Sequence, residues 1–395
     1  MADHRSTVDD RRRAPDTVEV KLAGVLGSPA FAGNRVTPLR NGKQIFPAML
    51  TAVAAAQSSI ELATFVYWKG EIAQRFAEAL AARARAGVDV RVILDAFGAQ
   101  PMRRRLVEQM TEAGVEVRWF RPLRRLQVWE NAHRTHRKVL VCDGRVGFVG
   151  GVGIAEEWEG DARHAGEWRD THFRLEGPAI HALQAAFLGN WLESGGALQD
   201  VQHAIVDLEP VGNTPLYPVR ATASIGWSDA ATMLRFLVEN AAAQLDISTA
   251  YFVPDAATMR LLCKRASEGV RVRVLVPGEH HDKRVSQVAG ERQYDELLAA
   301  GVQIWQYQRT MLHTKIYLAD GRLVGFGSAN FNQRSVRKDD EFSLIAVDRV
   351  LCATLQRDFE NDLAHAEPVT PGAWRRRGLG QRLFETVITP FRKEM

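Results

Sequence analysis

The sequence predicts an α/β protein of two homologous halves, each a mixed β-sheet flanked by helices, with one site at the interface between them. Two observations support this fold class. Short segments of strand-like character recur in the same order in both halves, and a polar pattern, His-x-Lys-x4-Asp, occurs once in each half. The length of 395 residues agrees with this, because about 150 residues per domain suggests roughly two to three domains.

The repeated segments predict the order of strands and helices within each half. Residues Ser59–Thr64 and Gln244–Thr249 alternate polar and apolar side chains, which is typical of a half-buried strand. Two further pairs place a helix-ending glycine before a strand rich in valine: residues 86–94 with 268–276, and residues 113–117 with 300–304. Amphipathic stretches precede these glycines, so each half is predicted as strand, helix, strand, helix, strand. Any α/β protein produces one such match by chance, but three in the same order fit chance poorly.

A proline-rich connector is expected between the halves, where Pro210, Pro215 and Pro218 lie close together. The predicted boundaries are a flexible tail at 1–18, an N-terminal half at 19–206, a linker at 207–219, a C-terminal half at 220–368 and a basic amphipathic segment at 369–395.

Composition excludes several classes of protein. A net charge of +4 with 46% apolar and 25% charged residues is ordinary for a globular chain, and excludes a disordered chain, a collagen-like repeat and a polycation. The cysteines, Cys142, Cys263 and Cys352, are too few and too dispersed for a disulfide framework or a four-cysteine zinc site. The N-terminus has no apolar stretch of a secretory signal, and no apolar run reaches about 18 residues, so the protein is expected not to cross a membrane.

The chemistry-bearing pattern consists, in each half, of a histidine, a lysine two positions later and an aspartate five positions after that: His136, Lys138 and Asp143, then His313, Lys315 and Asp320. On a strand, residues i and i+2 face the same side, so each half presents an imidazole and an ammonium group to one pocket. Each aspartate precedes a glycine and lies between apolar runs, which predicts a tight hairpin turn. Glycine-rich segments follow both hairpins, and their backbone N–H groups are expected to hold an anion.

This doubled motif resembles the phospholipase D superfamily, and the resemblance covers residues 43–362. Within the superfamily, the chain looks most like the bacterial cardiolipin synthases that have no transmembrane segment. The supporting stretches are Tyr251-Phe252-Val253-Pro254-Asp255, Gly327-Ser328-Ala329-Asn330-Phe331-Asn332-x-Arg334-Ser335 and Trp168-x-Asp170-Thr171-His172.

The resemblance implies catalysis through a covalent phosphohistidine. It assigns His136 as the nucleophile, and His313 as the acid/base that protonates the leaving alcohol and then deprotonates the incoming one. Lys138 and Lys315 are expected to neutralise charge on the phosphate oxygens. The two motif aspartates are expected to stabilise their turns instead of touching phosphate. No metal ion and no cofactor is expected.

The resemblance also implies a carboxylate for each histidine, located farther along the same half, that fixes the ring through its second nitrogen. The candidates are Asp170 for His136 and Glu341 for His313. The remaining supporting residues are Gly151, Ser328 and Asn330, in the glycine-rich segments.

One position departs from the superfamily pattern. Gly153 stands where relatives usually carry asparagine, whereas Asn330 keeps the amide in the second half. Loss of a hydrogen bond to a charged phosphate oxygen costs about 1.5–3 kcal/mol. The site is therefore expected to be less symmetric than the doubled motif.

Two segments mix cations with large apolar side chains, a combination that favours contact with an anionic phospholipid surface. The first leads into the first motif and the second lies near the C-terminus; their residues are Trp119, Phe120, Arg121, Arg124 and Arg125, and Trp374, Arg375, Arg376 and Arg377. The alternative is a solvated face of an arginine-rich chain. His280-His281-Asp282 is interpreted as an exposed loop in preference to a metal site.

The leading hypothesis for function is a phosphatidyltransferase that makes cardiolipin from phosphatidylglycerol and a second phospholipid, as a peripheral protein on the cytoplasmic side of the cell membrane. A hydrolytic phospholipase D shares the intermediate, and differs only in whether water or an alcohol resolves it. A nuclease would carry a strongly basic groove, which a net charge of +4 does not indicate, so no nucleic acid partner is expected. A fourth alternative is that the protein is a non-catalytic, lipid-binding relative of these enzymes. The acceptor lipid and the oligomeric state are left open.

Overall fold

The computed structural model describes residues 17–122, 132–200, 204–223 and 227–372. Its helices are α1 Thr17–Leu26, α2 Asn41–Ala55, α3 Glu71–Arg85, α4 Arg104–Glu112, α5 Ile180–Glu193, α6 Asp229–Asn240, α7 Ala256–Ser267, α8 Arg284–Glu291, α9 Tyr294–Ala299, α10 Gln333–Arg337 and α11 Arg349–Leu363. Its strands are β1 Phe31–Arg40, β2 Ser59–Thr64, β3 Asp89–Asp95, β4 Glu116–Phe120, β5 Arg134–Thr135, β6 Val139–Cys142, β7 Val146–Gly150, β8 Thr171–Glu176, β9 Thr214–Ala221, β10 Gln244–Thr249, β11 Phe252–Val253, β12 Arg271–Pro277, β13 Gln303–Tyr307, β14 Lys315–Ala319, β15 Leu323–Gly327, β16 Phe331–Asn332, β17 Asp339–Val347 and β18 Ala366–Pro368.

The two halves have matching mixed sheets, which confirms the predicted α/β class. In the first half β2, β3 and β4 are parallel, while β6, β7 and β8 continue from β2 as antiparallel strands. In the second half β10, β12 and β13 are parallel, and β14, β15 and β17 continue antiparallel. The repeated segments Ser59–Thr64 and Gln244–Thr249 are the equivalent strands β2 and β10.

The halves join into one sheet. Among the described residues this sheet has 16 strands, in the order β18-β13-β12-β10-β14-β15-β17-β9-β1-β8-β7-β6-β2-β3-β4, with β5 paired to β17 beside this path. The order is nearly palindromic about the junction of β1 with β9. That junction is antiparallel and pairs Phe31 with Leu216 and Asn34 with Thr214.

The chain between the halves differs from the predicted linker 207–219, because β9 already begins at Thr214. Both faces of β9 are packed: Leu216 lies in the core between the halves, while Tyr217 and Val219 lie in the core of the second half. Burial of these side chains outweighs the loss of backbone donors at the prolines, which the sequence pattern treated as loop residues.

The start of the chain also crosses the predicted boundary at residue 19. Helix α1 packs against α6 and β9, and its Val18 and Leu22 belong to the core of the second half. Helix α1 is therefore tied to the second half, whereas β1 and α2, which follow it, belong to the first.

A shared apolar core holds the halves together. It contains Phe173 and Leu175 from β8 of the first half, and Phe326 and Leu344 from β15 and β17 of the second. The rings of Phe173 and Phe326 approach to 4.1 Å between centroids. Each fully buried side chain of this size contributes about 1.5–3 kcal/mol, so this core fixes the relative position of the strands that carry the two motifs.

The two motif aspartates form the predicted hairpin turns. Asp143 and Asp320 have φ angles of 52° and 51°, and the glycines that follow, Gly144 and Gly321, have φ angles of 59° and 65°. Two consecutive residues with positive φ make the turn that matches the twist of a hairpin, and the second position strongly favours glycine.

Each of these carboxylates also caps a backbone segment. The carboxylate of Asp143 accepts hydrogen bonds of 2.7–3.0 Å from the N–H groups of residues 57–59, which lead into β2. The carboxylate of Asp320 accepts bonds of 2.7–2.9 Å from the N–H groups of residues 242–244, which lead into β10. The aspartates therefore anchor the hairpin to the first repeated strand of each half.

Among the helices of the described ranges, none is both long enough and apolar enough to span a bilayer.

Replacing Asp320 with alanine is expected to lower the free energy of unfolding by about 1–3 kcal/mol, because three backbone donors lose their shared acceptor at a partly exposed turn. Chemical denaturation of the full chain measures this change, with the exposed Asp207→Ala as a matched control. Turnover per folded molecule should stay at the wild-type level. A large loss of turnover with unchanged stability would assign this aspartate to catalysis.

Candidate active site

The two motifs meet in one cavity between the halves. Lys138, His313 and Lys315 are buried and the His136 side chain is 12% exposed; all but Lys315 line a cavity of about 320 Å³. His136 and Lys138 lie between β5 and β6, whereas His313 lies two residues before β14 and Lys315 is its first residue. The duplicated sheets thus bring two imidazoles and two ammonium groups to a single place.

Each histidine is held by a carboxylate from the opposite half. The Nδ1 atom of His136 lies 3.0 and 3.1 Å from the two carboxylate oxygens of Glu341. The Nδ1 atom of His313 lies 2.8 Å from Oδ2 of Asp170. The predicted pairing within each half, Asp170 with His136 and Glu341 with His313, was therefore wrong, although both carboxylates were correctly chosen.

Backbone pairing between the halves causes this exchange. The N–H of His136 donates to the carbonyl of Asp340, at 2.8 Å, because β5 pairs with β17 of the other half. The N–H of His313 donates to the carbonyl of Arg169, at 2.7 Å. Each histidine is thus bonded to the residue that precedes its carboxylate, so one contact between the halves fixes both groups.

Two side chains donate hydrogen bonds to these carboxylates, and one glycine packs closely against one of them. Ser328 donates its hydroxyl to Glu341, and Trp158 donates its indole N–H to Asp170 at 3.1 Å. Gly151 lies against Asp170 so closely that a Cβ atom would be 2.7 Å from Oδ2. Ser328 and Gly151, both predicted as supporting residues, therefore contact the carboxylates.

The motif lysines are fixed beside the rings. Nζ of Lys138 donates to the carbonyl of His136 at 2.8 Å. Nζ of Lys315 lies 3.2 Å from Nε2 of His313 and also donates to its carbonyl oxygen. The two ammonium groups are consequently held beside the imidazole rings.

Asn190 of helix α5 connects the first histidine to its carboxylate, and sequence reasoning missed it. Its side-chain oxygen accepts from Thr135 at 3.1 Å and from Arg137 at 2.9 Å, the residues on either side of His136. Its amide donates to Asp340 at 2.9 Å, next to Glu341. The only sequence indication is a polar residue on the buried face of an apolar helix.

Burial and mutual repulsion keep the cationic groups weakly basic. Burial lowers the pKa of His313 to about 4, and the charge of Lys315 adds to the effect. The pKa of His136 lies well below its ordinary value for the same two reasons, burial first and then the charge of Lys138. Burial also lowers the pKa of Lys138 to about 7 and that of Lys315 to about 8. Without an anion, both imidazoles are therefore neutral at pH 7.

The two carboxylates differ in basicity. Burial raises the pKa of Glu341 to about 7, and the nearby charge of Lys138 opposes that rise only in part. Burial also acts to raise the pKa of Asp170, but the hydrogen bond with His313 and the charges around it lower it below its ordinary value. Asp170 is thus fully ionised at neutral pH, whereas Glu341 exchanges a proton near neutrality.

One wall of the cavity is aromatic. It is formed by Phe65, Trp68, Phe97, Trp158 and Trp168. The His313 ring lies 5.1 Å from Trp158 and 5.4 Å from Trp168 between centroids, and Phe65 lies 5.3 Å from His136. Aromatic side chains therefore lie against both imidazole rings.

Gly153 lies behind this wall. A Cβ atom there would be 2.5 Å from Cβ of Val66 and 3.3 Å from the Trp158 ring. The space that an asparagine needs is already filled, so the first half places apolar groups where Asn330 lines the cavity in the second.

The opposite wall is polar and belongs to the second half. Its residues are Tyr251, Asp282, Lys283, Asn330, Asn332, Arg334, Ser335 and Asp339. The His280–Asp282 stretch lies in the loop between β12 and α8, where the Tyr251 hydroxyl donates to Asp282 at 2.5 Å. Among the described residues, no group of three or more His, Cys, Asp or Glu side chains is arranged to hold a metal ion.

The residues of the predicted lipid-contacting segment differ in their exposure to solvent. Phe120 is fully buried and packs with Phe187 and Trp191, so its assignment to membrane contact was wrong. Its position at the end of β4 turns it into the core of the first half. Trp119 is 37% exposed, and Arg121 pairs with Glu193 at 2.6 Å. The other predicted membrane contacts lie outside the described residues: Arg124, Arg125, Trp374, Arg375, Arg376 and Arg377.

Comparison with known proteins gives the family. A family model described as "Cardiolipin synthase, PLD-like domain" matches residues 49–157 and 234–363, one stretch in each half. Cardiolipin synthase 1 of Bacillus anthracis is 32% identical over 376 residues, which cover 92% of this chain and 73% of that protein. The probable cardiolipin synthase YwiE of Bacillus subtilis is 30% identical over 359 residues, covering 91% of this chain and 72% of that protein.

Solved structures share the fold at lower identity. The crystal structure of phosphatidylserine synthase from Haemophilus influenzae superposes with a TM-score of 0.71 at 14% identity, covering 94% of this chain and 97% of that one. Polyphosphate kinase from Porphyromonas gingivalis superposes with a TM-score of 0.57 at 12% identity, covering 91% and 54%. The matched family model and the cardiolipin synthase relatives show that the chain belongs to the cardiolipin synthase-like phosphatidyltransferases of the phospholipase D superfamily.

Proposed function

We propose that this enzyme makes cardiolipin by transferring a phosphatidyl group from phosphatidylglycerol to a hydroxyl group of a second phospholipid, which in the simplest case is another phosphatidylglycerol. The observation that supports this most is the pair of buried histidines in one cavity, each with its Nδ1 on a carboxylate and with a lysine beside it. The names of the relatives provide the substrate class.

In the first step, Nε2 of His136 attacks the phosphorus atom of phosphatidylglycerol. A P–N bond forms and the P–O bond to the glycerol headgroup breaks, while His313 gives its proton to the leaving oxygen. The hydrogen bond from Nδ1 to Glu341 leaves Nε2 of His136 free to attack. The lowered pKa of His136 keeps it in the neutral, nucleophilic form.

In the second step, a hydroxyl group of the acceptor lipid attacks the phosphohistidine. His313 takes the hydroxyl proton, the new P–O bond forms and the P–N bond breaks, which restores both histidines to their starting states. The products are cardiolipin and free glycerol. The aromatic wall limits the access of water, which would otherwise release phosphatidic acid.

The lysines couple substrate binding to protonation. Their charges hold the histidine pKa values down in the empty site. A phosphodiester anion between Lys138 and Lys315 compensates that charge, so His313 gains the proton it needs when substrate binds. The same charges stabilise the additional negative charge that develops on the phosphate oxygens in the transition state.

We further propose that the enzyme works as a peripheral protein on an anionic phospholipid surface, at the cytoplasmic side of the cell membrane. The support is local: Phe97 lines the cavity and is 54% exposed, and Trp119 at the end of the neighbouring strand β4 is also partly exposed. Exposed aromatic side chains at a cavity mouth favour the boundary between water and lipid.

Incubation of the purified full chain with phosphatidylglycerol in mixed micelles is expected to yield cardiolipin and glycerol in equal amounts, measured by mass spectrometry of defined lipids. His136→Ala and His313→Ala should reduce product to background, and the exposed His164→Ala serves as a matched control. Phosphatidic acid as the sole product would replace transfer by hydrolysis. Unchanged product formation in either catalytic variant would refute the roles assigned.

A donor lipid with a good leaving group tests the roles of the two histidines separately. With the p-nitrophenyl ester of phosphatidic acid, the leaving phenolate needs no proton, so His313→Ala and Asp170→Asn should keep a rapid initial burst of p-nitrophenolate. His136→Ala and Glu341→Gln should lose it, because the nucleophile is absent or misoriented. The opposite result would exchange the roles of the two histidines. A burst that is lost in His136→Ala and Asp170→Asn but survives in His313→Ala and Glu341→Gln would instead refute the exchange of carboxylates between the halves.

The pH dependence of kcat/KM is expected to show an alkaline limb near pH 7–8, because Lys138 and Lys315 lose their charge as the pH rises through their pKa values of about 7 and 8. In Lys138→Arg the charge persists at higher pH, so this limb should move upward even if the maximal rate falls. The exposed Lys264→Arg is the matched control. A limb that stays in place in Lys138→Arg would show that another group is responsible.

A further inference from the structure

In each half, one helix contacts the residue that precedes a catalytic carboxylate of the other half. The carboxylates belong to two dyads, which are the first dyad, His136 with Glu341, and the second dyad, His313 with Asp170. The preceding residues are Asp340 and Arg169, and their carbonyl groups accept the backbone N–H groups of the two histidines. A side chain that holds Asp340 or Arg169 therefore also fixes one dyad.

Helix α5 of the first half holds Asp340 through the side chain of Asn190. The amide nitrogen of Asn190 donates to Oδ2 of Asp340 at 2.9 Å. The amide oxygen accepts from Thr135 and Arg137, which lie on either side of His136. All four bonded side chains are buried. One amide group thus connects the chain at the first histidine to the strand that carries its carboxylate.

Helix α11 of the second half holds Arg169 through the side chain of Asp362. Nε of Arg169 donates to both carboxylate oxygens of Asp362, at 2.9 and 3.1 Å. Nη1 of the same guanidinium donates to the carbonyl of Asp170 at 2.7 Å and to the hydroxyl of Thr171 at 2.9 Å. Both members of the ion pair are largely buried, so removal of one leaves a poorly compensated charge. The guanidinium therefore ties the backbone of the second dyad to α11.

The two contacts act on different dyads. The side-chain hydrogen bonds of Asn190 end beside the first dyad, whereas those of Arg169 end beside the second. The side chains of Asn190, Arg169 and Asp362 are not part of the cavity lining, so they act through the dyads and not on the substrate. Because a displacement of about 1 Å at a reacting group can lower a rate about 100-fold, each contact is expected to control one catalytic group. A contact that only joined the halves would affect both dyads alike.

We propose that Asn190 is a positioning residue for the first dyad, and that the Arg169–Asp362 ion pair positions the second. The proposal rests on the proposed function for the chemical roles of the histidines. It deepens that function by assigning separate contacts that keep the nucleophile and the acid/base in place.

NMR of the full chain labelled with nitrogen-15 at histidine tests the positioning without requiring turnover. The proton in each hydrogen bond from Nδ1 to a carboxylate gives a strongly downfield signal, which His136→Ala and His313→Ala assign by its loss. Asn190→Ala should move the signal of the first dyad upfield, because a longer hydrogen bond deshields the proton less, and should leave the second in place. Asp362→Asn should do the reverse.

Kinetics with two donor lipids provide a second measurement. With phosphatidylglycerol, Asn190→Ala and Asp362→Asn should each lower kcat at least about tenfold. With the p-nitrophenyl ester of phosphatidic acid, the leaving phenolate needs no proton. Asp362→Asn should then keep the initial burst rate within about twofold, whereas Asn190→Ala should still lower it at least about tenfold.

The matched controls are Asn361→Ala, an exposed neighbour on α11, and the exposed Asp207→Asn, which should keep wild-type signals and rates. Thermal unfolding identifies a variant that fails to fold. In that case Asp340→Asn or Arg169→Lys takes its place, since each alters the same contact from the opposite half. A folded variant that shifts both signals alike, or shifts neither, would overturn the proposal, and so would a burst rate lowered equally by both variants.

Failure of the positioning contacts and failure of the proposed function are separable. If each variant shifts only the signal of its own dyad but phosphatidylglycerol gives no cardiolipin, the transfer reaction is refuted and the positioning contacts stand. If cardiolipin forms while each variant shifts both signals alike, the positioning proposal alone is refuted.

Discussion

The exchange of carboxylates between the halves is the constraint on which the rest of the site depends. Each histidine is hydrogen-bonded through its backbone and its side chain to the other half. The backbone N–H of His136 bonds to Asp340 and its ring to Glu341. The backbone N–H of His313 bonds to Arg169 and its ring to Asp170. Neither half therefore contains a complete catalytic pair. The shared apolar core between the sheets, including the contact of Phe173 with Phe326, is what keeps these pairs at hydrogen-bond distance.

The same constraint explains the electrostatics. Two histidines and two lysines lie around one cavity, and their charge is offset by the two exchanged carboxylates together with Asp282 and Asp339. Burial and repulsion lower the pKa values of both imidazoles in the empty site; in the proposed mechanism an incoming phosphodiester allows His313 to gain a proton while His136 stays neutral. The cavity is asymmetric: apolar residues fill the space beside Gly153 of the first half, whereas Asn330 of the second half lines the cavity.

The sequence allowed the fold class and the main site residues to be predicted because both depend on local patterns. Alternation of polar and apolar side chains in Ser59–Thr64 and Gln244–Thr249 predicted the equivalent strands, and the Asp-Gly pairs predicted the hairpin turns. Contacts between distant segments were not accessible in this way. The pairing of β5 with β17 decides which carboxylate meets His136, and no spacing within one half records it. The predictions of membrane contact for Phe120 and of a linker at the prolines of β9 were wrong for a related reason. Burial of these residues depends on neighbours from elsewhere in the chain.

The junction of β1 with β9 has a consequence for how such a chain arises. An isolated half would leave one edge of its sheet unpaired and its histidine without a carboxylate. A second copy of the same half, related by a twofold axis, pairs with the free sheet edge and also supplies the carboxylate. The chain therefore has the architecture of a dimer fused into one polypeptide. Fusion gives each copy its own sequence, which frees one cavity wall to become aromatic and the other polar. A symmetric pair of identical subunits cannot make that division, because any substitution would appear on both walls.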